Sequence, residues 1–175
     1  MYTTEPARRK REATEPRSLE SALAALAAMP AKLGEIVAAV PPALWRKPPA
    51  AGGFALVEHV CHLCDIECEG YRARLERMLA EEAPFLADLD GARLARERDY
   101  PSADLRAALR AFTDARRAVV ERLRALAPAE LRRSGLLEGV GAITIEGLVA
   151  KMREHDGEHL DELHRLREEL VAGTR

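Results

Sequence analysis

A single all-α domain, a four-helix bundle with long connections, is the fold that this sequence predicts. Hydrophobic residues make up 47% of the chain but aromatic residues only 4%, so Ala and Leu, the best helix formers, supply most of the apolar content. Four long segments also repeat their apolar residues at helical spacing. Connections rich in Pro and Gly separate these segments, as expected between the helices of a bundle.

The first predicted helix covers residues 18–40 and follows a polar tail. Residues 1–17 contain too little apolar material to build a core, so we expect them to be disordered and the folded domain to span 18–175. Ser18 has the side chain of a helix cap. Pro30 lies inside the pattern and should kink the helix, or restart it as the first residue of a second segment.

The next two predicted helices run from about residue 55 to 80 and from about 102 to 127, where Pro101 and Ser102 mark the start of the latter. The connection between them, residues 84–101, is rich in turn residues and should be irregular. Trp45, the only tryptophan, should anchor the loop that precedes the second helix.

The fourth predicted helix runs from a cap at Thr144 to about residue 171, with Gly173 just beyond its end. The preceding connection, residues 128–141, contains three glycines, Gly135, Gly139 and Gly141.

Charge, hydropathy and cysteine usage exclude several classes of protein. The chain has 27 basic and 29 acidic residues, which argues against a dedicated nucleic-acid binder. No stretch approaches about 20 uninterrupted apolar residues, so we expect a soluble chain with no membrane span. The polar N-terminus lacks the apolar core of a signal peptide. The three cysteines could close only tiny loops with one another, so we expect no disulfide framework and a cytoplasmic location.

The five histidines are concentrated in the second and fourth predicted helices. His155 and His159 are four residues apart and therefore project from one side of the fourth helix, one turn apart. That side is the apolar stripe, so both rings should point into the bundle, where two imidazoles at this spacing can hold one cation. Two hydrogen-bonded core histidines are the alternative. His164 falls on the opposite, exposed side.

The second predicted helix is harder to interpret. His59 and His62 share a face with Glu58, Asp65 and Glu69, opposite the apolar side. The helical wheel therefore places His62 on a polar face, which counts against it as a metal ligand. A metal site in a wet cleft would need such a face, so the pattern leaves the role of His62 open.

The cysteines of this helix have a similar ambiguity. The spacing of Cys61, Cys64 and Cys68 suggests a zinc or iron–sulfur site, and a Cys–His nucleophile is a further option. On a continuous helix, however, the three residues line the apolar stripe. Buried cysteine behaves as a small hydrophobe, and a core role is the interpretation that we favour.

Two short motifs resemble those of a known family. Residues 62–67, His-Leu-Cys-Asp-Ile-Glu, resemble the His-Leu-x-Asp-x-Glu signature of the DinB-like superfamily of metal-binding four-helix bundles. Residues 155–159, His-Asp-Gly-Glu-His, resemble its second element, His-Asp-x-x-His. The resemblance spans about residues 18–171. It implies that His62, His155 and His159 are the metal ligands, which favours His62 over His59, and that Asp65 orients a ligand or a bound water.

Several functions are compatible with this resemblance. Three neutral ligands leave open positions, as in catalytic sites, and an all-imidazole set suits zinc or nickel. Some relatives are thiol-dependent, so our leading hypothesis is a metal-dependent S-transferase that acts on a low-molecular-weight thiol and forms homodimers. Alternatives are a hydrolase with Glu58 or Asp65 as base, a non-catalytic stress protein that binds metal or a small ligand, and a metal-free bundle whose histidines pair with acidic neighbours.

Overall fold

Four long helical segments pack side by side in the computed structural model, which describes residues 15–173. The predicted four-helix frame is thereby confirmed. The helices that form it are α1 (Glu15–Ala39), α2 (Leu56–Asp65), α3 (Arg72–Ala80), α5 (Leu105–Arg124) and α7 (Ile145–Ala172). The segments α2 and α3 form one leg of the bundle, joined by a turn of π-helix at Ile66–Tyr71.

The helix α1 begins earlier than its sequence suggests. It starts at Glu15, so the predicted cap at Ser18 is wrong, and residues 15–17 of the predicted tail are helical. The rest of that tail lies outside the described residues. Pro30 stands inside the helix without ending it. Its neighbours Met29 and Leu33 are almost fully buried, and their packing against the core stabilises the turn around the proline.

By length and composition alone, the segment Leu19–Ala39 could cross a membrane, the one helix of the described chain that meets this test. The sequence predicts no membrane span, because no stretch approaches about 20 uninterrupted apolar residues; Lys32 and Glu35 lie within this segment. Leu26 and Leu33 have no exposed surface, and a core helix of a bundle meets the same test. The hydropathy of this segment therefore fits its packing in the bundle.

The start of α5 also differs from the prediction, whereas the start of α7 agrees with it. Asp104 caps α5 by accepting a hydrogen bond from the Ala107 N–H at 3.0 Å, so the helix begins after the predicted Ser102. Thr144 caps α7 as predicted, with its hydroxyl 3.1 Å from the Gly147 nitrogen. Trp45 anchors its loop as predicted, since its indole N–H donates to the Val40 carbonyl at 2.9 Å.

Both long connections contain regular structure, so the irregular course predicted for residues 84–101 is wrong. The first includes strand β1 (Phe85–Leu86), helix α4 (Gly91–Glu97) and a 3₁₀ turn (Tyr100–Ser102). The second includes helix α6 (Pro128–Leu131) and strands β2 (Ser134–Leu137) and β3 (Gly141–Thr144). The strands form one sheet, in which β1 is parallel and β3 antiparallel to β2. Strands this short contain too few residues for an alternating pattern to be read from the sequence.

The apolar core consists of two clusters that follow each other along the bundle. On α5, Phe112 belongs to the first cluster and Val119 to the second; on α7, Leu163 belongs to the first and Met152 to the second. The residues between these pairs form a polar layer across the bundle. It contains His62, Glu67, Arg116, His155, Asp156 and His159.

Candidate metal centre

The contribution of α7 to the site is the one that its periodicity predicts. His155 and His159 both point into the bundle, and their ring centroids are 4.5 Å apart. Each ring is partly buried, whereas His164 is exposed. Because α7 is regular from Ile145 to Ala172 and packs through one stripe, the spacing of four residues brings the two rings to one point.

The contribution of α2 differs from the helical-wheel prediction. His62 faces the other two histidines: its Nε2 is 3.3 Å from the Nε2 of His155, and its ring centroid is 4.8 Å from that of His159. His59, on the same predicted polar face, is only 5% exposed. The wheel fails because α4 and the Tyr100–Ser102 turn cover α2 on the side that it assigns to solvent.

The three histidines have the geometry of a metal site. One nitrogen from each of His62, His155 and His159 lies within 4.8 Å of the others. Tetrahedral coordination at the usual Zn–N length would separate two ligand nitrogens by about 3.3 Å. The Nε2 atoms of His62 and His155 have this separation. The donor set therefore fits a divalent cation bound between α2 and α7.

Burial keeps these imidazoles neutral. Together with a smaller effect of neighbouring histidines, it lowers the pKa of His62 to about 4 and that of His155 to about 3. The pKa of His159 is also lowered, again by burial. Near pH 7 the rings are therefore uncharged, which is the form whose lone pair can bind a metal.

Gly91 has no side chain, and the His62 ring occupies the space in which one would lie. A Cβ atom at position 91 would lie 2.5 Å from Cε1 and 2.8 Å from Nδ1 of His62. The Nδ1 atom is buried and has no hydrogen-bond partner among the described residues. The ring is consequently held by close packing on this side, with only its Nε2 side directed at the other histidines.

The two candidate bases are both engaged in other contacts. Glu58 accepts a hydrogen bond from the Ala55 N–H at 2.8 Å and so caps α2. Asp65 accepts a hydrogen bond from the Tyr100 hydroxyl at 2.5 Å and pairs with Arg98 at 2.8 Å. These contacts tie α2 to the segment that covers it. The predicted part of Asp65 in orienting a ligand or water stays a prediction.

A buried ion network next to the histidines escaped the sequence analysis. The Arg116 guanidinium contacts Glu67 at 2.8 Å and Asp156 at 3.0 Å, and all three side chains are at least 93% buried. Glu67 and Asp156 belong to the two family motifs, and this membership is the only sequence signal that could have indicated a role for them. Their partner on α5 stands in an ordinary run of arginines and could not be distinguished from them.

The cysteines are free thiols outside the cluster. Cys61 is buried, as its predicted core role requires, and burial raises its pKa to about 11. Cys64 and Cys68 are only partly buried, and Cys68 lies in the π-turn, which interrupts the continuous stripe that the prediction assumes. A hydrogen bond from Cys64 lowers the pKa of the Cys68 thiol to about 7. Within the described chain, no cysteine belongs to a group that could hold a metal ion.

A groove of about 710 Å³ leads to the histidines from the surface. His59 and His159 line it, together with Phe54, which packs against both His59 and His62 with ring centroids 5.6 Å away. Small molecules could therefore approach the cluster on the side of His159.

Comparisons with known proteins found a matching family model and a similar solved structure. The model of the DinB superfamily matches residues 25–163. The solved structure of YfiT from Bacillus subtilis, a probable metal-dependent hydrolase with an unusual four-helix bundle topology, is similar with a TM-score of 0.79. The alignment covers 86% of each chain at 22% identity. No curated protein matches the sequence.

Proposed function

We propose that this chain, which belongs to the DinB superfamily, is an enzyme that binds a divalent metal ion through His62, His155 and His159 and acts on a small thiol. The observation that carries the proposal is the convergence of three neutral imidazoles from α2 and α7 within 4.8 Å. An all-imidazole set suits zinc or nickel.

The residues around the cluster suit a reaction rather than a closed structural site. A cation with three protein ligands keeps an open position, where it would lower the pKa of a thiol or a water molecule. The groove beside His159 gives a small molecule access to that side. The neutral rings keep their lone pairs available, and the packing of His62 against Gly91 fixes its orientation.

Two observations bear on the choice between thiol transfer and hydrolysis. A free thiol is much more acidic than water, so it needs less help from a base to lose its proton at a metal. Both Glu58 and Asp65 are held by structural contacts. This favours a thiol S-transferase. A hydrolase is the second candidate, because the similar structure of YfiT is that of a probable metal-dependent hydrolase. It would need another base, and Glu162 on the groove wall is available.

Cobalt-substituted protein tests the proposal. We expect added glutathione or 2-mercaptoethanol to produce a thiolate-to-cobalt charge-transfer band, which the double variant His155→Ala, His159→Ala should lack. His164→Ala, on the exposed side of α7, is the matched control and should behave like the unaltered chain. Cobalt binding without any thiol band, combined with metal-dependent ester hydrolysis, would favour the hydrolase instead.

A non-catalytic stress protein that binds metal or a small ligand is the alternative of a different class. It would bind the metal with the same histidines but turn over neither thiols nor esters. The expected homodimer and the expected cytoplasmic location stay predictions.

A further inference from the structure

We propose that His59, His159 and Glu162 form a second cation site, which shares His159 with the three-histidine set. The site goes beyond the proposed function. It depends on contacts of its own, so it can fail while the first site stands.

The separations of three ligand atoms carry this inference. The Nδ1 atoms of His59 and His159 are 3.1 Å apart. Glu162 Oε2 is 3.4 Å from the Nδ1 of His159 and 3.9 Å from that of His59. This triangle has a single point about 2.0 Å from all three corners, which is the distance at which zinc binds imidazole nitrogen and carboxylate oxygen.

The same contacts are poor as hydrogen bonds to the carboxylate. A good N–H···O bond has a length of about 2.7–3.2 Å, which both Glu162 distances exceed. The two Nδ1 atoms that face each other can share only one proton along their contact. A cation between the three atoms would satisfy all of them at once.

The surroundings of the triangle suit a bound ion. His59 is 5% exposed, and Phe54 packs edge-on against its ring, so its nitrogen is held in place. Glu162 is 49% exposed and, like both histidines, lines the groove. Two histidines and one carboxylate, with a further position toward solvent, are the ligand set of several catalytic zinc sites.

Sharing His159 between the two sites is chemically consistent. The ring directs Nδ1 at His59. The proposal therefore assigns the other ring nitrogen, Nε2, to the site shared with His62 and His155. When both sites are filled, both nitrogens coordinate, so the ring releases its N–H proton to solvent and becomes an anionic bridge. That negative charge, with the carboxylate of Glu162, offsets the repulsion between two nearby dications.

The competing explanation is that Glu162 and His59 only orient His159 for the first site. Carboxylates often accept the free ring N–H of a metal-bound histidine in this way. Under that explanation, changing Glu162 weakens the first site but leaves the number of bound ions unchanged.

The number of zinc ions bound per chain distinguishes the two explanations. After equilibrium dialysis against zinc alone, we expect two per chain for the unaltered protein, one for Glu162→Gln and one for His62→Ala. Glu168→Gln, an exposed glutamate on the same helix, is the matched control and should bind two. Circular dichroism verifies that each variant is folded.

Other results have equally definite meanings. One zinc in both the unaltered protein and Glu162→Gln would overturn the second site and leave the first intact. One zinc that is lost in Glu162→Gln but kept in His62→Ala would support the second site and contradict the three-histidine set. No zinc in the unaltered protein would overturn both.

Discussion

The helices α2 and α7 contribute to one cluster of histidines, but only the contribution of α7 follows from its own sequence pattern. The helix α7 is long and regular and packs through a single stripe, so its helical wheel indicates correctly where His155 and His159 point. The helix α2 has ten residues, is covered on several sides and continues into a π-turn. A helical wheel predicts direction only where one face of a helix is buried and the others are not.

A buried arginine links the two halves of the site, which are the histidine-bearing parts of α2 and α7. Arg116, on α5, contacts Glu67, which follows α2, and Asp156, which lies beside His155 on α7. The histidine cluster therefore depends on a charge network whose members come from three different segments. Four changes to the chain or its conditions should affect the contributions of α2 and α7 differently.

Removal of the shared arginine should have the largest effect. Arg116→Met leaves two buried carboxylates without a cation, and breaking a buried ion pair in this way costs about 3–5 kcal/mol. We expect urea denaturation to show this loss. Arg117→Met, whose exposed ion pair with Asp114 spans 3.7 Å, is the control and should change stability by less than about 1 kcal/mol. Equal effects of the two changes would mean that the network does not hold the halves together.

Crowding His62 should disturb the α2 half alone. In Gly91→Ala, the new methyl group would meet the His62 ring at 2.5 Å, so the ring or α4 must shift and the ring loses its present orientation. We expect zinc affinity to fall by about 10- to 100-fold, as for loss of a supporting contact in a metal site. Competition with a chromogenic chelator measures this. Unchanged affinity would contradict the claim that packing against Gly91 orients His62 for metal binding.

Acid should lower the stability of the metal-free protein through the buried histidines of both α2 and α7. Unfolded histidines protonate near pH 6.5, whereas burial lowers the pKa of folded His62 to about 4 and of folded His155 to about 3. Between these values the unfolded state binds more protons, so the free energy of unfolding decreases as the pH falls, by up to about 1.4 kcal/mol per pH unit for each ring. Urea titrations at pH 7 and pH 5 measure the decrease, which should be smaller in His155→Ala. A stability equal at both pH values would show that the rings protonate in place.

The smallest effect on stability is expected from a substitution on the exposed face of α7. Gly157 lies between the two histidines, and a Cβ atom there would meet nothing within 4 Å. Gly157→Ala should therefore stabilise the protein by about 0.5–1 kcal/mol through helix propensity alone, and zinc affinity should not change. Thermal unfolding gives the first quantity and chelator competition the second. A loss of stability would indicate that α7 is not packed through one stripe.

The sequence predicts features that depend on neighbouring residues better than features that depend on residues far apart in the chain. The frame of four helices depends on residues close in sequence, as does the cap at Thr144, which is predicted correctly, whereas the predicted starts at Ser18 and Ser102 are not. The sheet depends on pairing between Phe85 and Leu136, about 50 residues apart, and no local pattern indicates it. The burial of His59 and the partners of Arg116 likewise depend on segments that meet only in the fold.

The proposed function requires that His62, His155 and His159 hold one divalent cation. A crystal structure of zinc-loaded protein, with anomalous data collected at the zinc edge, would show whether they do. We predict a peak about 2.0–2.1 Å from one ring nitrogen of each of the three histidines. A fully occupied zinc bound elsewhere, with His62 turned away from His155 and His159, would contradict the account.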